Sequence, residues 1–371
     1  MSFAIGTPLN QQNIGTTIRP SSTALLTIDS EDRFTDFEKK RAARPGSYNY
    51  SPYNFNITKN QAIMNGFFTR LAVTEIVFPW AIPNINIRTA SIRIFWKIGA
   101  ADTQSYLLTP DSEFQEGTLV GEPYLPIGFY TPAQLAARLQ LALEEITGFS
   151  ALTVKYGYDE ITYSSAIKAN PSNLPIFAVY TGDSTTPHLI SFLPLDANTS
   201  EYPYPSSTRQ LFDLLGFDST AELLSDIIIG NPTYCQAIKY VDIVCPTLVY
   251  NQALKDTSSA QHSEDSLCRI YLANADNSTN QLLTSSDISG SGSQFCPPGC
   301  APTTLYRQFN VPKYINWIPN QPVSGQLVFR VLDDQGQVLD PQLLVDVNVT
   351  SSTRYPSLPL DWQMTMLVSE N

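Results

Sequence analysis

Cys296 and Cys300, joined by Pro-Pro-Gly, are the residues of this chain whose spacing best suits chemistry. Their thiols could close a small disulfide loop, supply half of a metal site, or stay free, and the spacing leaves all three open. Zinc takes four ligands, and the nearest histidine, His262, is far away along the chain. Cys235, Cys245 and Cys268 lie in strand-like apolar runs and read as small core residues. Five cysteines, an odd number with no secretory leader at MSFAIGTPLNQQ, suggest mostly reduced thiols.

The acids form two groups. Asp29, Glu31, Asp32 and Asp36 could surround a calcium ion, but the loop glycine and closing glutamate of an EF-hand are missing. The simpler reading is that Asp29 and Asp32 cap a turn or pair with Arg33. Asp333 and Asp334 sit in a turn signal, Asp-Asp-Gln-Gly, and read as turn formers rather than paired catalytic carboxylates. The only histidines, His188 and His262, lie in polar, loop-like sequence without a nucleophile or ligand at a telling distance. There is no nucleophile elbow, no phosphate loop between strand and helix, and no HExxH. No catalytic residue, cofactor-binding residue, cofactor or metal ligand is therefore assigned, and the chain is not expected to be an enzyme.

Charge narrows the partners. The net charge is −12, against the cationic footprint that nucleic acid demands, so nucleic acid is not expected as the main ligand. Lys39, Lys40, Arg41 and Arg44 are the exception; they read as a solvated linker, or as an arm touching an acidic neighbour or a genome. Charged residues make up only 15%, against roughly 25% in an average domain. Proline, at 27 of 371 residues, exceeds the usual roughly 5%. With 19 tyrosines and 18 phenylalanines, this suits a surface that lives against neighbours. No apolar run approaches the roughly 18 to 20 residues of a membrane-spanning helix.

The elements that would hold such residues are mostly strands. Tyr53, Phe55 and Ile57 alternate with polar neighbours, the period of a half-buried strand. In the next strand Leu71, Val73 and Glu75 fall on one face and Ala72, Thr74 and Ile76 on the other. Further strands are expected near 91–98, 105–109, 152–156, 160–164, 175–180, 236–245, 267–273, 306–311, 326–332 and 363–368. Residues 329–339 form a hairpin with Gly336 in its turn. One long helix starts at the N-cap Thr131, with Pro132 at N1 and Gln134 completing a capping box. Leu135, Leu139, Ala142, Leu143 and Ile146 make its apolar stripe, and Gly148 ends it. A short helix covers 208–215. Many strands without strand–helix alternation argue for an all-β, antiparallel sandwich. Trp80, Trp96, Trp317 and Trp362 read as core or interface anchors rather than sugar platforms.

Several segments, taken in order, resemble the penton and minor capsid proteins of large icosahedral DNA viruses, virophages and polinton-like viruses. An early IDS-x-DR signature is carried by Ile28, Asp29, Ser30, Asp32 and Arg33. An N-F-x-I strand follows at Asn54, Phe55 and Ile57, then Val73, Ile76, Pro79, Pro83, Asn84 and Ile85. The GFYTPAQLAARLQLALEEITG helix, the Leu214–Leu215–Gly216–Phe217 segment, the YVDIVCPTLVY and LCRIYL strand pair and the FRVLDDQGQVLD hairpin continue the likeness to about residue 370. Residues 281 to 303 match no part of it.

The resemblance implies a jelly-roll sandwich with a helix-bearing insertion near 125–180, an arm and linker over 1–45 and a body over 46–371. Two jelly rolls split near residue 205 are the alternative architecture. It also implies a structural virion protein located in the capsid and assembled inside the host cell. The expected partners are other capsid subunits: its own copies, as a pentamer at a vertex, and a major capsid protein. The alternatives are a minor capsid protein beneath the shell, or a carbohydrate- or receptor-binding sandwich.

The arm yields a test. Residues 1–24 lack apolar periodicity, so alone they cannot offset an ordering cost of roughly 1–2 kcal/mol per residue. Neighbours would supply grooves for Phe3, Ile5, Leu9, Ile14 and Ile18. Removing the arm is expected to lower particle yield more than melting temperature; equal yields would overturn this.

Overall fold

The computed structural model describes residues 23–34, 51–64, 70–80, 82–86, 89, 91–109, 124–157, 161–163, 166–168, 176–182, 185–195, 210–233, 235–249, 266–272, 303–310, 312, 314–316, 323–339 and 360–369. Strand β1 (Thr23–Asp29) runs into a 3-10 turn (Ser30–Arg33), followed by β2 (Asn54–Met64) and β3 (Arg70–Trp80). Next come β4 (Ile92–Ile98), β5 (Gln104–Leu108), helix α1 (Pro132–Thr147), β6 (Thr153–Gly157), β7 (Ile161–Tyr163), β8 (Ala166–Lys168), β9 (Ile176–Tyr180) and β10 (His188–Leu193). The single-turn α2 (Leu211–Leu214), β11 (Ile227–Ile229), β12 (Tyr240–Val244) and the single-turn α3 (Pro246–Val249) follow. The chain closes with β13 (Ser266–Tyr271), β14 (Thr303–Gln308), β15 (Tyr314–Asn316), β16 (Val323–Leu332) and β17 (Gln363–Ser369).

Two sheets make the sandwich. The first has the order β1-β17-β3-β14, with β15 also on β3; the second has the order β13-β12-β16-β2. Because β17 occupies one side of β3 over residues 70–77, β14 and β15 share the other side as one interrupted edge. Counting these two as one strand, the chain places its strands 1, 8, 3 and 6 in one sheet and 5, 4, 7 and 2 in the other. All pairings are antiparallel, and this winding is that of a single jelly roll. Two sandwiches divided near residue 205 are ruled out, since β2 and β3 pair with strands from the C-terminal half.

The chain leaves the sandwich after Trp80 and rejoins it at Tyr240. Between them it builds the sheets β10-β4-β5 and β11-β9-β6, a β7–β8 pair and α1. This excursion extends beyond 125–180, because β4, β5, β10 and β11 pair only among the inserted strands. Thr23 and Ala24 pair with Ser369 and Val368, so they belong to the sandwich, and an arm truncation that spares the sheet ends before Thr23.

A β-bulge reverses half of the face assignment made from alternation in β3. Thr365 pairs with Glu75 and Met366 with Val73, leaving Thr74 as the extra residue. The parity therefore flips after Val73. Ile76, Phe78 and Trp80 join Leu71 and Val73 in the core, while Glu75 turns to the outer face. The Thr74 hydroxyl donates to the Thr365 carbonyl (3.1 Å), and the Thr74 carbonyl accepts from Phe309 N–H (2.8 Å).

Helix α1 follows its signals. Thr131 accepts from Gln134 N–H and Gln134 accepts from Thr131 N–H, while Gly148 adopts φ 72°. Leu135, Leu139 and Leu143 are fully buried, Ala142 is buried and Ile146 is half-buried. The Gln140 side chain accepts from Val154 N–H (3.1 Å), tying the helix to β6. The hairpin at Asp333 also forms: its carboxylate accepts from the N–H groups of Gln335 and Gln337, and Gly336 has φ 76°.

Most buried side chains of the sandwich and insertion, the α1 stripe among them, form one continuous cluster, and Ile176, Ala178 and Tyr180 form a second, small one. Replacing Leu139 with Ala should therefore cost about 2–5 kcal/mol in chemical denaturation. A loss under about 0.5 kcal/mol would remove the α1 stripe from the core.

Candidate assembly surfaces

The IDS-x-DR residues converge on the start of β17. Ile28 is a core residue, and Asp29 caps the 3-10 turn by accepting from Glu31 N–H (2.8 Å). The second Asp29 oxygen accepts from Gln363 (2.7 Å). Buried Ser30 exchanges backbone and side-chain bonds with Trp362: Ser30 N–H donates to the Trp362 carbonyl and Trp362 N–H donates to Ser30 Oγ, both at 2.9 Å. Ser30 Oγ donates in turn to Asp361 (2.9 Å). The Arg33 guanidinium bridges Asp361 and the Ser30 carbonyl. The side chain of Arg33 is 4% exposed and that of Asp361 27%, so the ion pair is largely desolvated.

The Pro-Asn-Ile residues tie the start of the insertion to the segment that precedes its helix. Asn84 donates to the Tyr130 carbonyl (2.8 Å) and accepts from Tyr130 N–H (2.9 Å). Ile85 and Gly128 exchange both backbone hydrogen bonds. This fixes the segment immediately before the Thr131 cap. The Leu-Leu-Gly-Phe segment works by close approach: a Cβ on Gly216, at φ 73°, would stand 2.1 Å from the Asn231 carbonyl oxygen.

The remaining candidates are scattered. His188 opens β10 rather than lying in a loop, and its ring stacks on Phe149 at 4.3 Å. Cys235 lies outside any strand with φ 56°, Cys245 follows β12, and Cys268 sits in β13; all three are free and buried. Burial pushes the Cys235 thiol pKa upward, away from a reactive thiolate. Cys296, Cys300, His262, Trp317, Asp36 and the Lys39–Arg44 patch lie outside the described residues. Among the described residues, no three His, Cys, Asp or Glu side chains are grouped to hold a metal ion. No described helix is long and apolar enough to cross a membrane.

What the structure does expose is aromatic and apolar surface at the flanks of the sandwich. Leu25 on β1 is 71% exposed, Tyr271 on β13 55%, Tyr306 on β14 58% and Tyr314 on β15 51%. Each stands on an edge strand. Tyr306 donates to Glu75 (3.2 Å), which raises the phenol pKa, and Glu75 also accepts from Thr365. Arg307 donates to the Tyr271 carbonyl (3.2 Å), crossing from one sheet to the other at the flank. Arg269 lies over Tyr240 (3.9 Å) and pairs in bidentate fashion with buried Asp242, which holds its guanidinium pKa above the usual value. Sequence reasoning missed Asp361, Asp242 and the flank tyrosines, because each gains its role from a partner on a distant strand.

No family model matches this chain, and no curated protein does. Among solved structures, the chain is similar to a selenomethionine-labelled mavirus penton protein, with a TM-score of 0.43 and 13% identity over 95% of this chain and 99% of that one. So distant a likeness leaves the functional reading to the chain's own residues.

The Arg33–Asp361 pair makes a double-mutant test. Asp361→Ala should cost about 3–5 kcal/mol by taking the carboxylate away from a largely buried guanidinium. Adding Arg33→Met should recover much of that loss in chemical denaturation. Purely additive losses would show that the two groups do not act as a pair.

Proposed function

We propose that this chain is a structural capsid protein of an icosahedral DNA virus, placed in the virion as the vertex (penton) subunit. One observation carries the reading: the described motif residues that resemble capsid proteins are spent on joints of a single jelly roll. Ser30, Arg33, Asp361 and Trp362 join β1 to β17, and Asn84 and Ile85 brace the insertion's first segment against the one before α1. A protein whose work is geometry has such residues at its joints, whereas an enzyme aims some of them at a cleft. One sandwich with one insertion suits a subunit that occupies one position in a shell. Its partners would be its own copies and a major capsid protein, with assembly in the infected cell.

Three tryptophans among the described residues weigh against the carbohydrate-binding alternative. Trp80, Trp96 and Trp362 are 3%, 8% and 0% exposed, so these rings are packed inside rather than offered to a sugar.

Co-expression with the cognate major capsid protein tests the reading. Particles carrying this chain only at their vertices are expected by cryo-electron microscopy. Particles whose vertices close without it, with the chain elsewhere or free, would overturn the vertex assignment.

A further inference from the structure

Among the described residues the first sheet is open at both edges, β1 on one side and β14 with β15 on the other. β1 pairs with β17 in seven unbroken steps and contains no proline, lysine or bulge. Such an edge is a ready template for another chain, and soluble proteins usually guard it. The two edges also match each other. A row across the sheet runs Leu25–Leu367–Ala72–Tyr314, beginning and ending in an exposed apolar residue. The row Asp29–Gln363–Val77–Tyr306 begins at the acidic turn and ends beside Arg307. One flank thus carries Asp29, Glu31 and Asp32 beside Arg33, and the other carries Arg307 with Tyr306, which engages Glu75, with Tyr314, and with Tyr271 from the adjoining β13.

We infer that β1 and its acidic turn, on one copy, seat against the β14–β15 edge of the next copy in a head-to-tail contact. The inference rests on the capsid reading and names the surfaces through which copies meet. Strand direction permits it. β1, β17, β3 and β14 alternate in direction, so β14 of one copy and β1 of the next are antiparallel when the copies are related by rotation about an axis along the strands. Such a rotation keeps height along the strand. Leu25 then arrives at the level of Tyr314, and the acidic turn arrives within a few strand steps of Arg307, each roughly 3.3 Å. The two patches differ, so the contact is heterologous and closes into a ring if the rotation permits. A two-fold contact between identical flanks would set acid against acid or arginine against arginine.

Three variants test this: Arg307→Glu on one flank, Glu31→Arg with Asp32→Arg on the other, and Leu25→Asp at the exposed apolar contact. Melting temperatures establish that each folds; sedimentation velocity and mass photometry read assembly. The unaltered chain should form closed oligomers that weaken as salt rises. Each variant should associate at least about tenfold more weakly. Mixing Arg307→Glu with Glu31→Arg/Asp32→Arg should restore association, because each brings one intact flank and the altered flanks are again opposite in charge. Variants that assemble like the parent, a mixture that stays monomeric, or a parent that is monomeric alone would each overturn the inference. If the chain still occupies vertices in co-expressed particles, the capsid reading survives that failure.

Discussion

The indole of Trp362 holds the two sheets together. It arises from the strand end just before β17, in the first sheet, and its ring lies 5.6 Å from Phe55 and 6.2 Å from Phe329 in the second. Phe78 of β3 stands 6.5 Å away, and Tyr53 adds a further ring against Phe78. Tilted and edge-on rings at such separations add attraction beyond the apolar area they bury. The one polar atom of the indole is satisfied by the Pro52 carbonyl at 2.7 Å, so the ring can be fully buried without an orphaned donor. Nothing local holds Trp362 in this orientation. Its backbone is gripped by Ser30, and Ser30 is oriented by Asp361, which Arg33 neutralises. A jelly roll must bring its first and last strands side by side, and here that closure is made by polar groups at the rim of an aromatic core.

The insertion uses the same device. A buried asparagine, Asn84, satisfies both hydrogen-bonding groups of Tyr130 and thereby sets where α1 begins. Farther along, Gly216 and Gly230 let two backbone segments pass at distances that no side chain tolerates. Asn231 N–H donates to the Gly216 carbonyl there, and Asn231 also donates to Asp218. Both joints buy position rather than reactivity. That is an economy of position.

The flanks are where this economy stops. Inside the sandwich the buried carboxylate of Asp242 has its arginine, while at the edges Leu25, Tyr271, Tyr306 and Tyr314 remain turned to solvent. Single exposed apolar residues need no explanation. The three exposed tyrosines among the described residues, Tyr271, Tyr306 and Tyr314, all stand on strands that end the sheets.

The sequence alone determined the features whose causes are local. The capping box of Thr131 and Gln134, the αL stop at Gly148, the turn at Asp333 and the all-β antiparallel class follow from rules that span a few residues. The order of short motifs pointed to a jelly roll. Tertiary structure decided what depended on residues far apart. Alternation put Glu75 on the face of Leu71 and Val73 and Ile76 on the opposite one until the bulge at Thr74, set by pairing with β17 some 290 residues away, exchanged them. Arg33 had acids beside it in sequence, yet it also reaches Asp361, 328 residues away, across the seam. Pairing between distant strands leaves no periodicity in either one. It is settled by which faces must be buried together, and that is known only once the chain has closed.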